Sequence, residues 1–281
     1  MQDPLIAVGR RPPLNKDTRL CISLAGRPSN IGTRFHNYLY DVLGLDFIYK
    51  AFTTTDIAAA IGGVRALGIR GCSVSMPFKE DVIPLVDEVE PSARAIHSVN
   101  TIVNDDGRLT ASNTDYIAVQ RLIDEHGLQS SQSVLIRGSG GMANAVGAAF
   151  RDSGFHNGTI VARNPETGRA FAARIGYEYA PEVGSRTAEV IVNVTPVGMA
   201  GGPEEIETAF DDVTIAKAHM VFDVVALPSE TPLIVAARTA GVPVITGAEV
   251  IALQAAEQFE RYTGVRPTAE QVAAASAVSR A

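Results

Sequence analysis

Val134-Leu-Ile-Arg-Gly138-Ser-Gly140-Gly141-Met142-Ala143-Asn144-Ala145 is the stretch that decides the fold of this chain. Residues 134–136 form a short apolar strand, and Gly138-x-Gly140-Gly141 breaks it. Small residues over 142–151, among them Ala143, Ala145, Val146, Ala148 and Ala149, then predict a helix. Strand, glycine turn and helix in this order make a dinucleotide-binding turn. The glycines (with Ser139 between them) let the backbone approach a pyrophosphate, and the helix N-terminus offers it free N–H groups and a positive dipole end. Ala143 or Asn144 stands where the third glycine of the usual fingerprint would fall. Alone, such a turn is also an ordinary tight turn; its place inside a strand–helix–strand unit favours the nucleotide.

The next strand, 159–162, ends in Arg163-Asn164, with Arg169 six residues beyond Arg163 and no acid before Glu166. An acid there would bond the ribose 2′-hydroxyl of NAD, whereas arginine accommodates the 2′-phosphate of NADP. NADP(H) is therefore the expected cofactor. Strands over 190–193, 220–223 and 242–245 continue the unit. The first runs into Asn193-Val-Thr195-Pro196-Val-Gly198-Met199, a turn at the carboxyl edge of the sheet, where a nicotinamide would lie.

The first half of the chain also alternates. Strands are expected over 20–24, 46–52 and 71–76, with helices capped by Thr33 and Asp56 between them, so a parallel sheet is expected. Residues 99–103 and 109–111 flank Asn104-Asp-Asp-Gly107, a hairpin signal. Helices follow over 115–126 and, at the end of the chain, over 249–263 and 267–278. The domain boundary is expected near Asp115, with a return near Gly247.

The 71–76 strand leads into Pro77-Phe-Lys79-Glu80, and Pro77 should stop it. Lys79 is the only lysine between Lys50 and Lys217. Open α/β folds place working side chains just past a strand end. Taken alone, this lysine is as well a solvated residue opening a helix at Glu80-Asp81. Asn100, Asn113 and Asp115 cluster around the hairpin, although Asn-Thr-Asp is also a common helix cap. Gln254 lies in an apolar run, where a buried amide must find partners.

The 281 residues are 46% hydrophobic and 20% charged, an ordinary globular composition, and the net charge of −7 argues against a broad nucleic-acid surface. Cys21 and Cys72 sit in strand-like runs and read as buried thiols of a reducing cytosol. The five histidines are scattered, and no metal-ligand spacing appears. No apolar run approaches membrane-spanning length, and residues 1–17 read as a polar lead-in. A cytoplasmic protein with a small-molecule substrate is expected, as a monomer or homodimer, with no nucleic-acid or membrane partner.

Together the motifs resemble the shikimate/quinate dehydrogenase family, closest to its divergent shikimate dehydrogenase-like branch. The marks are Val74-Ser-Met-Pro-Phe-Lys-Glu80, Ser98-Val-Asn-Thr101, Asn113-Thr-Asp115, the glycine turn, Asn193 to Met199, Thr231-Pro-Leu233 and Leu253-Gln-Ala-Ala256. The resemblance implies two domains. One, residues 1–115 plus 248–281, is an open α/β substrate domain to which the C-terminal helices return. The other, residues 116–247, is a Rossmann-type NADP-binding domain. It further implies Lys79 and Asp115 as the catalytic pair, Ser75, Asn100 and Gln254 on the substrate hydroxyls, and Met142, Ala143, Val224 and Gly247 beside the cofactor. The family's Ser-x-Ser carboxylate site is absent: counting back from His36-Asn37 puts Asn30 and Gly32 there, counting forward from Gly26-x-Pro28 puts Gly32 and Arg34, and Ser29, Thr33 or Arg34 is the expected substitute. Ala226 replaces a tyrosine, and Glu249 stands where a glycine would approach the nicotinamide.

The implied activity is NADP-dependent, reversible reduction of 3-dehydroshikimate, or a related cyclic polyol ketone, to shikimate. Quinate or aminoshikimate as true substrate, a member that binds nucleotide and metabolite without useful turnover, and a folate-type dehydrogenase are the alternatives.

Overall fold

The structure is a computed structural model and describes residues 10–280, so residues 1–9 of the expected lead-in lie outside it. The chain divides into two compact units, one of Met1–Thr114 with Ala252–Ala281 and one of Asp115–Ile251.

In the first unit the elements are β1 (Arg19–Ala25), α1 (Ile31–Val42), β2 (Phe47–Thr53), α2 (Ile57–Ala66), β3 (Gly71–Val74), β4 (Glu88–Val89), α3 (Pro91–Arg94), β5 (Thr101–Asp105) and β6 (Arg108–Ser112). Their sheet runs in the order β2-β1-β3-β5-β6-β4. It is mixed rather than parallel: β5 pairs antiparallel with β3 and with β6. The hairpin was readable because Asp106 and Gly107 both take positive φ (51° and 92°), the two-residue turn that matches strand twist. Its attachment to β3 is non-local and left no mark in the sequence.

Asp56 caps α2 by accepting from Ala59 N. The expected Thr33 cap is corrected: α1 begins at Ile31 behind Asn30, and Thr33 lies inside the helix. Strand pairing of β3 stops at Val74, before the expected Met76, although Ser75 N still donates to Leu24 O (2.9 Å) and Gly26 N to Met76 O (3.1 Å). No α-helix opens at Glu80; turns lead to a 3₁₀ segment, Ile83–Leu85.

The second unit comprises α4 (Thr114–Glu125, from its second residue), β7 (Val134–Arg137), α5 (Gly141–Asp152), β8 (Gly158–Val161), α6 (Pro165–Ile175), β9 (Glu178–Ala180), β10 (Val190–Asn193), α7 (Asp212–Lys217), β11 (Met220–Asp223), α8 (Pro232–Thr239) and β12 (Val244–Thr246). All its strands are parallel, in the order β12-β11-β10-β7-β8-β9. The order reverses between β10 and β7, the switch point at which such sheets bind nucleotides. The sequence reading did not include β9, α7 or α8.

The chain ends in α9 (Gly247–Thr263) and α10 (Ala269–Arg280), and the division between units falls inside α9 at Ala252. In the first unit, Phe259 and Tyr262 of α9 and Ala275 of α10 join Phe35, Leu39, Tyr40, Phe47 and Tyr49 in one core cluster. Each such fully buried large side chain contributes roughly 1.5–3 kcal/mol.

Candidate functional site

In the first unit the segments that carry Lys79 and Asn100 meet at the ends of β3 and β5. Val74 N donates to Asn100 O (2.9 Å), and Val99 N donates to Lys79 O (2.8 Å), so the Pro77–Lys79 turn is tied to the segment that carries Asn100. Asn100 is buried, and its Oδ1 accepts from Thr114 N (2.8 Å), Thr101 Oγ1 (2.8 Å) and Thr114 Oγ1 (3.1 Å). That fixes the amide, while among the described residues the buried Nδ2 has no partner. A buried donor so held asks for an acceptor. Lys79 is half-buried and Ser75 exposed beside it. Asn113 donates from Nδ2 to Ser98 O (2.9 Å), and Asp115, the next residue after Thr114, lies in the first turn of α4.

Gln254 departs from expectation. It is half-buried rather than buried; the buried amide is Gln258, one helical turn on. Gln258 Nε2 donates to Thr101 Oγ1 (3.0 Å) and Asn100 O (3.3 Å), and its Oε1 accepts from Ser73 Oγ (3.1 Å). Ser73 Oγ also accepts from Tyr49 OH (2.8 Å) and lies 3.2 Å from Tyr262 OH. Sequence reasoning missed this polar cluster under Asn100. Beside it His36 is fully buried and stacked on Tyr49 at 4.4 Å, and among the described residues neither ring nitrogen is within good hydrogen-bond geometry of a partner. Burial pulls its pKa down to about 3, with the Gln258 amide working weakly against it. Of the proposed carboxylate groups, Ser29 and Arg34 are exposed, whereas Thr33 Oγ1 is buried without a partner.

The second unit holds a cleft of about 620 Å³ at the carboxyl edge of its sheet, lined by Gly138, Ser139 and Gly140, by Arg163 and Asn164, and by Thr195-Pro196 among others. Gly138 has φ +129°, and a Cβ there would meet Val194 Cγ2 at 2.7 Å, so only glycine fits. Gly140 precedes α5 with no side-chain cap, and nothing lies within 4 Å of a Cβ at Gly140 or Gly141. The first-turn N–H groups, including those of Met142 and Ala143, are thus presented as an anion site requires. The Ala143 side chain itself is buried. Ser139 Oγ lies 2.9 Å from Thr167 Oγ1, and Asn164 Oδ1 caps α6 by accepting from Glu166 N (2.9 Å) and Thr167 N (3.3 Å). Arg163 meets Glu204 Oε1 at 3.3 Å. Arg169 lies over the Tyr179 ring at 4.8 Å and does not line the cleft. These residues fit a dinucleotide: a glycine turn, an uncapped helix end and a basic strand terminus.

Three expected cofactor residues have structural work of their own. Asn193 is buried and its amide is spent internally: Nδ2 donates to Asp223 Oδ1 (3.0 Å) and Val197 O (3.2 Å), and Oδ1 accepts from Thr195 Oγ1 (2.6 Å) and Thr195 N (3.0 Å). It shapes the loop that carries Thr195 and Pro196. Gly247 is a packing glycine, since a Cβ there would lie 2.4 Å from both Val224 O and Val225 O. Val224 is half-buried and its N–H is spent on Asn193 O (3.1 Å). Glu249 folds back into a capping box, its Oε2 accepting from Thr246 N and Thr246 Oγ1 (both 2.7 Å), with Oε1 3.7 Å from His126 Nε2. Thr-x-x-Glu was the legible signal for it.

The cleft also contains Arg137, which the sequence reading passed over. Among the described residues, no helix is long and apolar enough to cross a membrane, and no cluster of His, Cys, Asp or Glu could hold a metal ion.

The family described as the shikimate dehydrogenase substrate binding domain matches residues 30–102. A shikimate dehydrogenase-like protein of Haemophilus influenzae is 58% identical over 267 residues, 95% of this chain and 98% of the relative. A shikimate dehydrogenase (NADP(+)) of Oleidesulfovibrio alaskensis is 35% identical over 235 residues, 82% of this chain and 84% of that protein. Among solved structures, a shikimate 5-dehydrogenase-like protein superposes with a TM-score of 0.94 at 58% identity, covering 95% of this chain and all of that one (100%). The shikimate 5-dehydrogenase of Thermus thermophilus, solved in complex with NADP(H) and shikimate, superposes with a TM-score of 0.80 at 27% identity, covering 93% of this chain and 99% of that one. The two-unit α/β architecture and the sequence agree, and the chain belongs to the shikimate dehydrogenase family.

Proposed function

We propose that this protein is an NADP-dependent oxidoreductase that interconverts a cyclic polyol ketone of the 3-dehydroshikimate type and its alcohol. The observation that carries this reading is Asn100: its carbonyl is held by three donors and its buried Nδ2 is left for a ligand oxygen. The first unit supplies the substrate groups and the second the cofactor groups. Held by the glycine turn, the α5 N-terminus and Arg163, NADP(H) would supply the hydride chemistry. In the reducing direction Lys79 gives its Nζ proton to the developing alkoxide, and in the oxidising direction neutral Lys79 takes the hydroxyl proton. Asp115, in the first turn of α4, is the acidic member of the expected pair. Acid–base help of this kind is worth about 10²- to 10⁴-fold in rate. Asn100 donates to a ring hydroxyl, and Ser75 and Gln254, whose amide is not claimed by the core, take the others. The oxidation releases a proton, so it is favoured as pH rises.

The carboxylate end is where this chain departs from the family's Ser-x-Ser pattern. Arg34, exposed at the first turns of α1, is the guanidinium for that carboxylate, with Ser29 and Thr33 as its hydroxyl neighbours. Quinate and aminoshikimate therefore belong in the assay. NADPH formation is followed with shikimate, quinate and aminoshikimate for the wild type and for Lys79→Ala. Loss of about 10²-fold or more in kcat on the best substrate, with NADP+ affinity unchanged, is the expected result; an unchanged rate removes Lys79 from the mechanism.

A further inference from the structure

We propose that Arg137 is a second guanidinium for the adenosine 2′-phosphate, acting with Arg163, and that Glu204 is the internal anion which that phosphate displaces. This rests on the NADP reading above. Arg137 ends β7, a central strand flanked by β8 and β10, where Val134, Leu135 and Ile136 are all buried. An apolar residue would continue that pattern. A cation placed there loses hydration, and burial is the first cause of its lowered pKa, followed by a supporting Glu204 and an opposing Arg163.

The donor count points the same way. A guanidinium has five N–H groups in a rigid fork. Among the described residues Arg137 makes one hydrogen bond, from Nη1 to Ala209 O. The remaining donors belong to a side chain that lines the same cleft as Gly138, Ala162, Arg163 and Asn164. Arg163 is largely exposed (76%) and meets the more sheltered Glu204 (21%) at 3.3 Å. A carboxylate and a phosphate present a guanidinium with the same pair of oxygens, so Glu204 occupies an oxyanion place. The pyrophosphate has its own acceptor site in the uncapped α5 terminus, and the basic end of β8 is where a 2′-phosphate is read. Two arginines beside that strand end therefore serve the second anion.

The test is calorimetry with 2′,5′-ADP, 5′-AMP, NADP+ and NAD+ on the full-length wild type, Arg137→Leu, Arg137→Lys and Glu204→Gln, with folding checked by circular dichroism. Arg137→Leu is expected to weaken 2′,5′-ADP and NADP+ about tenfold or more, while 5′-AMP and NAD+ stay within about twofold. Glu204→Gln is expected to tighten NADP+ by about two- to fivefold, the scale of one partly exposed ion pair. Should Arg137→Leu not fold, Arg137→Lys decides, since it keeps the charge and loses the fork. An equal loss for NAD+ and NADP+ would place Arg137 on the pyrophosphate and overturn the proposal, as would unchanged affinities. A wild type that binds 2′,5′-ADP no better than 5′-AMP overturns the NADP reading itself, whatever the variants do.

Discussion

Ser73 Oγ, bonded by Tyr49, Gln258 and Tyr262 at once, shows how the floor of the substrate site is kept rigid. Gln258→Leu removes the acceptor for Ser73 and the donor to Thr101 and Asn100, leaving buried polar groups unpaired. A loss of about 2–3 kcal/mol in urea denaturation is expected, together with a raised KM, because Asn100 loses its support. His36 gives a pH test with a definite sign. Its folded pKa is about 3, below an unfolded value near 6.5, so the unfolded chain binds the extra proton between those limits. Stability contributed by neutral His36 is therefore complete above pH 6.5 and lost as pH falls towards 3. Between pH 7 and pH 5 this one residue should cost about 2 kcal/mol. Denaturation of the wild type and His36→Phe at both pH values measures it; equal pH slopes would refute the assignment. Gln254 and Gln258 also show where sequence stopped helping. They are one helical turn apart on nearly the same face, and only the non-local Ser73 and Thr101 decide which amide is buried.

At the scale of elements, Asp223 at the end of β11 joins three of them. Its carboxylate accepts from Thr231 Oγ1 (2.6 Å), Asn193 Nδ2 (3.0 Å) and Val225 N (3.0 Å), tying β10 and the start of α8 to the same edge. Burial raises its pKa despite these donors, of which Thr231 matters most. Removing one donor raises the folded pKa further, so the added instability is present at neutral pH and disappears as pH falls through that pKa. Thr231→Val also removes the cap that accepts from Ile234 N. The variant is expected to lose about 2–4 kcal/mol at pH 7, and less at pH 4.5, by chemical denaturation. Elements with strong local signals were legible: the glycine turn, the Asp106-Gly107 hairpin and the Lys79 turn each depend on residues adjacent in sequence. The antiparallel insertion of β5 beside β3, and the short β4 and β9, depend on distant partners and have no local signature.

For the whole molecule, the division of labour between units has a spatial readout. Hydrogen exchange with saturating NADP+ is expected to slow amides around 138–144 and 163–168, whereas a shikimate-type ligand should slow those around 75–80 and 98–101. Protection by NADP+ confined to the first unit would reverse the assignment. At a hundredfold excess over its Kd the nucleotide should add about 2.7 kcal/mol to apparent stability.

The first unit is assembled from both ends of the chain, Met1–Thr114 and Ala252–Ala281, around an uninterrupted second unit. During synthesis, every residue of the second unit leaves the ribosome before Phe259, Tyr262 and Ala275 can close the first unit's core. The nucleotide-binding half is thus the first piece able to finish folding, and the half bearing Lys79 waits, with Cys21, Leu39 and Tyr49 uncovered, for the last turns of the chain. A released chain truncated at residue 255 would hold every residue of the glycine-turn cleft while lacking Gln258 beneath Asn100.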